Sequence, residues 1–445
     1  MRSLARIVRR YFVAGPKTRL SLRANFSWAL TGNIVYNACQ WGFIVALTKI
    51  SSPEVVGRYA IAQAIVTPLF MLTNMRLNTV QVTDENSENL FGDYLGLRII
   101  CSLVAFILVV IILWAGGYGV GVISTAILIA FSKLIGSISD IVYGLMQKHE
   151  RLDLVSCSLM FRGLLSLPVM TVTYCTLRSL PATLIAQFIV WSVILFGYDL
   201  PNARRWQSIR PLYHPHRWID LFILGLPLGI VSGLNSLSAQ MPRYALDLLA
   251  GRRELGVFAA IASLGRVSSL VVRALSNAAL PRLAHLYAQD APRHFVRLLR
   301  RLIGVGAVLG TLGVVIAVFW GRPFLTIVYT EEFEGYQSVL IVVMLSVGVA
   351  TTFTFLGTAV AAARQFTVQV FAHAAKITAM GLACWVLVPR LGALGAAWAS
   401  LVGALVSSLA YFIILQRAIQ QAGVGLAQKV RTVEAEEVHH EEVVV

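Results

Sequence analysis

The residues able to do chemistry in this chain are cations set in apolar surroundings. Arg266 and Arg273 lie in one hydrophobic run, seven residues apart, so nearly two helical turns bring both to one face. Lys376 stands in a second run with His373 three residues before it. Lys133 stands in a third with Asp140 seven residues after it, and Arg162 in a fourth. Arg243 and Asp247 are four apart in a fifth. A charged side chain inside a membrane span costs about 3 kcal/mol or more unless it is paired or wet, so each is a functional candidate by default. Five of these six cations have no carboxylate four residues away. Basic groups without an acid beside them suit an anionic ligand, and guanidinium binds phosphate oxygens bidentately. A diphosphate headgroup or an acidic sugar fits such a lining. For Arg243 and Arg273, each near a span end, the competing reading is snorkelling to the interface, with Asp247 pairing with Arg243. Asn33, Asn37 and Gln40 form an i, i+4, i+7 row, and Asn235 stands with Ser236, Ser238 and Gln240 in the equivalent stretch of the second half. Such amides either meet sugar hydroxyls or bond between helices.

These side chains need helices that cross a bilayer. The chain has 445 residues, 57% hydrophobic and 13% charged, with a mean hydropathy of +0.74. That is too little charge to cover a soluble protein of this size, which excludes an ordinary soluble enzyme and a disordered chain. Apolar runs recur at 24–49, 57–78, 95–116, 119–146, 153–175, 180–199, 219–248, 255–280, 301–329, 337–361, 366–388 and 392–416, which predicts about twelve spans. Pro68, Pro168, Pro227 and Pro242 fall inside them and predict kinks.

Net charge is +16, from 37 Lys+Arg against 21 Asp+Glu. In a membrane protein that excess marks cytoplasmic loops and anionic lipid, and no nucleic-acid partner is expected. The loops with Arg204, Arg205, Arg210 and Arg217, and with Arg282, Arg293, Arg297, Arg300 and Arg301, fall on the same side as the N-terminus. Both termini are therefore expected in the cytoplasm. Residues 1–22 interleave Arg2, Arg6, Arg9 and Arg10 with Leu4, Ile7, Val8 and Phe12, the pattern of a basic amphipathic segment and not of a signal peptide. Residues 418–445 read as a polar, disordered tail.

The chain also repeats itself. Gly57-Arg58-Tyr59-Ala60-Ile61-Ala62 follows the first span, and Gly256-Val257-Phe258-Ala259-Ala260-Ile261-Ala262 follows the seventh. The match predicts two six-helix halves, 23–200 and 219–417, joined by a Pro- and Arg-rich linker, 201–218, with substrate between them. Enzymatic signatures are missing. There is no G-x-x-x-x-G-K-[ST], H-E-x-x-H or G-x-S-x-G, and the outer loops are short, with Glu331, Glu332 and Glu334 their only acidic group. Cys39, Cys101, Cys157, Cys175 and Cys384 are dispersed in apolar stretches, as small packing residues are. No enzyme, cofactor or metal site is expected.

Four stretches carry a resemblance. They are Phe91-Gly92-Asp93-Tyr94-Leu95-Gly96-Leu97-Arg98, Met241-Pro242-Arg243-Tyr244 before the second repeat, Leu280-Pro281-Arg282-Leu283-Ala284, and Val388-Pro389-Arg390-Leu391-Gly392-Ala393. Together, across residues 24–417, they resemble bacterial polysaccharide and O-antigen flippases of the MOP exporter superfamily. The resemblance implies an all-α integral membrane protein with two six-helix bundles around a central cavity. It implies transport of a polyprenyl-diphosphate-linked oligosaccharide across the bacterial cytoplasmic membrane by alternating access, alongside membrane lipid and a polysaccharide polymerase. A cationic lumen is expected of the family, in agreement with Arg266, Lys376 and Lys133, and Arg243 matches its Pro-Arg-Tyr stretch. For ion coupling, Asp140 and Asp247 are the only deep carboxylates expected. The rival readings are an ion-coupled multidrug exporter of the same superfamily and a membrane polymerase or ligase.

Overall fold

A computed structural model describes residues 20–84, 90–289, 292–362 and 366–442. Most of the expected N-terminal amphipathic segment lies outside the described residues. Those residues contain helices and no strand. In chain order the helices are α1 (Leu22–Ile50), α2 (Pro53–Thr73), α3 (Leu77–Thr83), α4 (Phe91–Ala115), α5 (Val120–Lys148), α6 (Leu152–Leu177), α7 (Leu180–Ile194) and α8 (Leu200–Ala203). After the linker come α9 (Pro215–Leu249), α10 (Arg252–Ser263), α11 (Gly265–Ala288), α12 (Pro292–Val328), α13 (Gln337–Ala362), α14 (Phe366–Leu391) and α15 (Ala393–Glu442).

Ten helical segments among the described residues are long and apolar enough to cross a membrane. Helix α1 and the pair α10–α11 occupy the first and eighth expected positions, which accounts for the twelve spans read from the sequence. Breaks between spans have local causes. The Ser21 hydroxyl caps α1 by accepting from the Ala24 N–H at 3.3 Å, and Ser179 caps α7 in the same way. Gly251 (φ 87°) and Gly392 (φ 54°) end helices in the left-handed region, where a Cβ is strained. The four expected in-span prolines are inside α2, α6 and α9. Outward faces are apolar: Trp114 is 85% exposed and Phe319 73%, as side chains facing lipid are.

The described chain forms two compact units. The first holds residues up to Arg266 together with 326–333, and the second holds 267–325 and 334 onward. In the first, α1 packs along α6, α4 along α5, and α2 against α5, α9 and α10. Its core gathers Tyr94, Leu97, Leu145, Met146 and Tyr198. In the second, α15 packs against α13 and α14, over a core with Leu283, Phe295, Phe355 and Leu356. The contact boundary lies at Arg266 and not in the 201–218 linker, because α9 and α10 pack along α2. The tail also departs from expectation. Helix α15 continues to Glu442, where a disordered tail was expected. Its Ala, Gln, Lys and Glu residues favour helix strongly enough to extend it.

Candidate functional site

The densest polar constellation lies inside the first unit and starts from two arginines that are almost wholly buried. Arg98, on α4, is 0% exposed. Its Nη2 donates to Asp140 Oδ2 on α5 at 2.9 Å, and its Nη1 to the Asn74 carbonyl at 2.8 Å. Asn78 Nδ2 donates to the other Asp140 oxygen at 2.9 Å, and Ser137 Oγ to Asn74 Oδ1 at 3.0 Å. Arg162, on α6, is 3% exposed. Its Nη2 donates to Asp199 Oδ2 at 3.2 Å and to the Ser139 hydroxyl, while its guanidinium lies over the Tyr143 and Trp191 rings at 5.7 and 5.1 Å. Tyr143 and Ser158 hydroxyls are 2.7 Å apart beside it. Asp199 reaches Arg162 because the sixth span ends in a π-helical turn, Leu195–Asp199, which rotates the carboxylate relative to an α-helical path. Two positive and two negative charges thus cancel on four helices. In a low-dielectric interior, only such pairing makes burial of these groups tolerable.

A second polar cluster fixes the linker. Asp93, in the first turn of α4, is 0% exposed. It accepts from Arg217 Nη1 at 3.1 Å and from the Leu90 N–H at 3.1 Å, and stands 2.6 Å from His214 Nδ1. Leu212 N–H donates to the Gly92 carbonyl and Gln207 to Phe91's first-turn position accepts from its N–H, both at 3.0 Å. A Cβ on Gly92 would lie 2.4 Å from the Arg210 carbonyl, and one on Gly96 2.6 Å from that of Leu212. The stretch 91–98 therefore has physical content. Its glycines admit the linker backbone, its aspartate binds the linker's basic side chains, and its arginine enters the buried network.

The sequence-predicted residues divide accordingly. Arg162 and Asp140 belong to the paired network. Lys133 is half-buried on α5. Arg243 donates to Gln240 Oε1 at 2.7 Å, and Asp247 lies 3.8 Å from Arg252 and does not pair with Arg243 as expected. The acidic turn is also engaged, since Glu332 pairs with Arg253. Asn33 and Asn37 each donate to the carbonyl four residues back on α1, at 2.8 Å, while Gln40 is half-buried and Asn235 is exposed. In the second unit Lys376 is half-buried on α14, and His373 Nε2 lies 3.3 Å from the Tyr411 hydroxyl of α15. The Arg266 and Arg273 side chains lie outside the described residues. Their backbones are in unbroken helix around α11.

Sequence reasoning missed Arg98, Asp93 and Asp199. Asp140 and Asp247 are not the only deep carboxylates, since Asp199 and Asp93 are more fully buried than either. Each missed residue stood at an expected span boundary, where charge passes as interfacial. The signal available was partner count: Arg98 and Asp140 lie on neighbouring spans at matching depth. Among the described residues, no three His, Cys, Asp or Glu side chains gather as a metal site.

Residues 22–287 match the polysaccharide biosynthesis protein family. The chain is similar to the capsular polysaccharide biosynthesis protein CapF of Staphylococcus aureus, with 27% identity over 404 residues covering 88% of this chain and 99% of that protein. Among solved structures it is similar to the lipid II flippase MurJ in an inward closed conformation, with a TM-score of 0.73, 10% identity and 92% of each chain covered. It is also similar to a point mutant of the Vibrio cholerae MATE transporter VcmN, with a TM-score of 0.63, 14% identity, and 90% of this chain and 96% of that one covered. A MOP superfamily transporter from Pyrococcus furiosus gives a TM-score of 0.62 at 13% identity, covering 93% and 98%. These likenesses show the fold, and they agree with the helical two-bundle architecture read from the sequence.

Proposed function

We propose, because the chain belongs to the polysaccharide biosynthesis protein family, that it is a flippase for a lipid-linked oligosaccharide. The substrate is a repeat unit on polyprenyl diphosphate, destined for surface polysaccharide, and the protein is a transporter and not an enzyme. The observation that carries this reading is the family match across 22–287, on a chain whose helices stand at all twelve expected span positions.

The chain sits in the bacterial cytoplasmic membrane with both termini inside, an orientation supported by the basic 204–217 and 282–301 segments. The halves 23–200 and 219–417 alternate access to a hydrated path between them. The sugar-diphosphate head enters from the cytoplasm while the polyprenyl tail stays in lipid. Arg266, Lys376 and Lys133, with Arg243 and Arg273 nearer the ends, offset the charge of the diphosphate in low dielectric. Asn33, Asn37, Gln40 and Asn235 contact sugar hydroxyls. Arg162 holds the bundle and takes no part in binding. An ion gradient acts, if it does, through Asp140, whose side chain is 36% exposed although its partner Arg98 is 0% exposed. Asp247 is the weaker choice because Arg252 stands beside it.

Cationic drugs would call for carboxylates in the path, which disfavours the multidrug reading. The short outer loops disfavour a polymerase or ligase. Deleting the gene and assaying lipid-linked oligosaccharide by leaflet tests the proposal. Loss of surface polymer with complete repeat units trapped on the inner leaflet is the expected result. Unpolymerised units on the outer leaflet would replace it with a polymerase, and unchanged polysaccharide with raised drug sensitivity with an exporter.

A further inference from the structure

The internal repeat makes a contact with itself. Gly57 is the fifth residue of α2, and Gly256 is the fifth residue of α10. A Cβ on Gly57 would lie 2.1 Å from the carbonyl oxygen of Arg252, the first residue of α10. A Cβ on Gly256 would lie 1.9 Å from the carbonyl oxygen of Pro53, the first residue of α2. The register is reciprocal: each glycine meets the residue four places before the other. Two equivalent helix starts therefore cross backbone to backbone about a local two-fold relation, at a separation no side chain allows.

Glycine inside a helix costs about 1 kcal/mol relative to alanine, so two glycines at matched positions require a reason, and close backbone approach is that reason. The turns behind the crossing are dry. Ala60, Ile61 and Ala62 on one side, and Ala259, Ala260 and Ile261 on the other, are at most 5% exposed.

We propose that the Gly57–Gly256 crossing is the extracytoplasmic seal of the transport path, closed here and parted when the path opens outward. The inference rests on the flippase reading and on its orientation, which puts the starts of α2 and α10 outside. A contact of backbones and small side chains suits a seal. It closes without a gap, carries no ion pair between the glycines to be broken, and leaves each helix intact when it opens. Rigid halves that rock must separate at one end, and this crossing joins one repeat to the other.

The test uses the full chain in cells, with the natural cysteines replaced. Glu54 and Arg253 flank the crossing, both exposed and electrostatically coupled. The double substitution Glu54→Cys and Arg253→Cys is expected to transport when reduced, to stop when oxidised, and to recover with reductant. In a second variant Ala60→Cys reports access from outside to an impermeant maleimide. Adding Gly57→Leu or Gly256→Leu is expected to raise its labelling about ten-fold or more by holding the crossing open. Gly57→Ala does the same more weakly where the larger side chain prevents folding. Transport indifferent to a formed disulfide would overturn the proposal. So would labelling of Ala60→Cys that Gly57→Leu and Gly57→Ala leave unchanged in folded protein. Labelling reads conformation and not substrate, so it judges the seal even where the leaflet assay rejects the flippase.

Discussion

The intramembrane cations of this protein come in two populations. Arg98 and Arg162, in the first unit, each find an aspartate on a different helix, Asp140 at 2.9 Å and Asp199 at 3.2 Å. Arg266, Arg273 and Lys376 follow in a stretch with no such acid. From Leu255 to Arg417 the only acidic residues are Asp290, Glu331, Glu332 and Glu334, all outside the expected spans. The first set is satisfied by the fold and needs nothing from outside. The second set has no carboxylate in its own spans to meet, so its charge is left for hydration or an anionic ligand. The difference separates charges that hold the bundle from charges offered to a substrate, a distinction that spacing along the chain does not reveal.

The sharpest way to break that comparison is to remove one member of a buried pair. Arg162→Ala leaves Asp199 charged at 0% exposure, and the expected loss is about 3–5 kcal/mol. Size-exclusion profiles and thermal unfolding in detergent should show little folded protein. The double variant Arg162→Leu with Asp199→Leu should recover most of it, because a buried pair exchanged for apolar groups is often neutral. A stable, active Arg162→Ala protein would abolish the claim that this arginine is structural.

The opposite behaviour is expected of Lys376→Ala and Arg266→Ala. Folding should be nearly unchanged, within about 0.5 kcal/mol. Substrate binding should weaken by about 1–3 kcal/mol, the worth of a charge-assisted hydrogen bond. Accumulation of inner-leaflet lipid-linked oligosaccharide, beside an unchanged melting temperature, is the signature to measure. Loss of folding in these variants would move them into the first population.

How far the sequence carried this division can be read residue by residue. The helices were legible because lipid demands long apolar runs, and the repeat was legible because Gly57 and Gly256 share their neighbours. Arg162 was visible as a cation in a span, but its partner was not. Asp199 is remote in sequence and reaches it through a π-helical turn that no apolar periodicity encodes. Arg98 was hidden by its place near a span start. The Arg243–Asp247 pair expected from i, i+4 spacing gave way to Gln240 and Arg252, since side-chain direction, and not spacing alone, selects partners. The boundary of the compact units was equally illegible, because the packing of α9 and α10 on α2 depends on long-range contacts.

A smaller effect tests whether the linker clamp behaves like the buried pairs. Asp93→Ala leaves His214 and Arg217 at least 44% exposed on their side chains, so neither cation is stranded, and the expected loss is about 1–2 kcal/mol. Limited trypsin digestion should cut faster at Arg204, Arg205 and Arg210, with transport reduced but present. An unaltered digestion rate would mean that the Gly92 and Gly96 backbone contacts hold the linker alone.

The smallest effect is expected at the surface. Arg253 and Glu332 form an ion pair whose side chains are 60% and 39% exposed. Water solvates both ions when the pair is broken, and exposed pairs contribute about 0–1 kcal/mol. Arg253→Gln should therefore leave melting temperature and surface polymer close to those of the parent, at low and high salt alike. The result separates two explanations for the packing of this region. If the ion pair held it, the variant would lose stability at low salt and the loss would fade as salt screened it. If backbone approach at Gly57 and Gly256 holds it, Gly256→Ala should cost more than Arg253→Gln, although it removes no charge and adds a single methyl group.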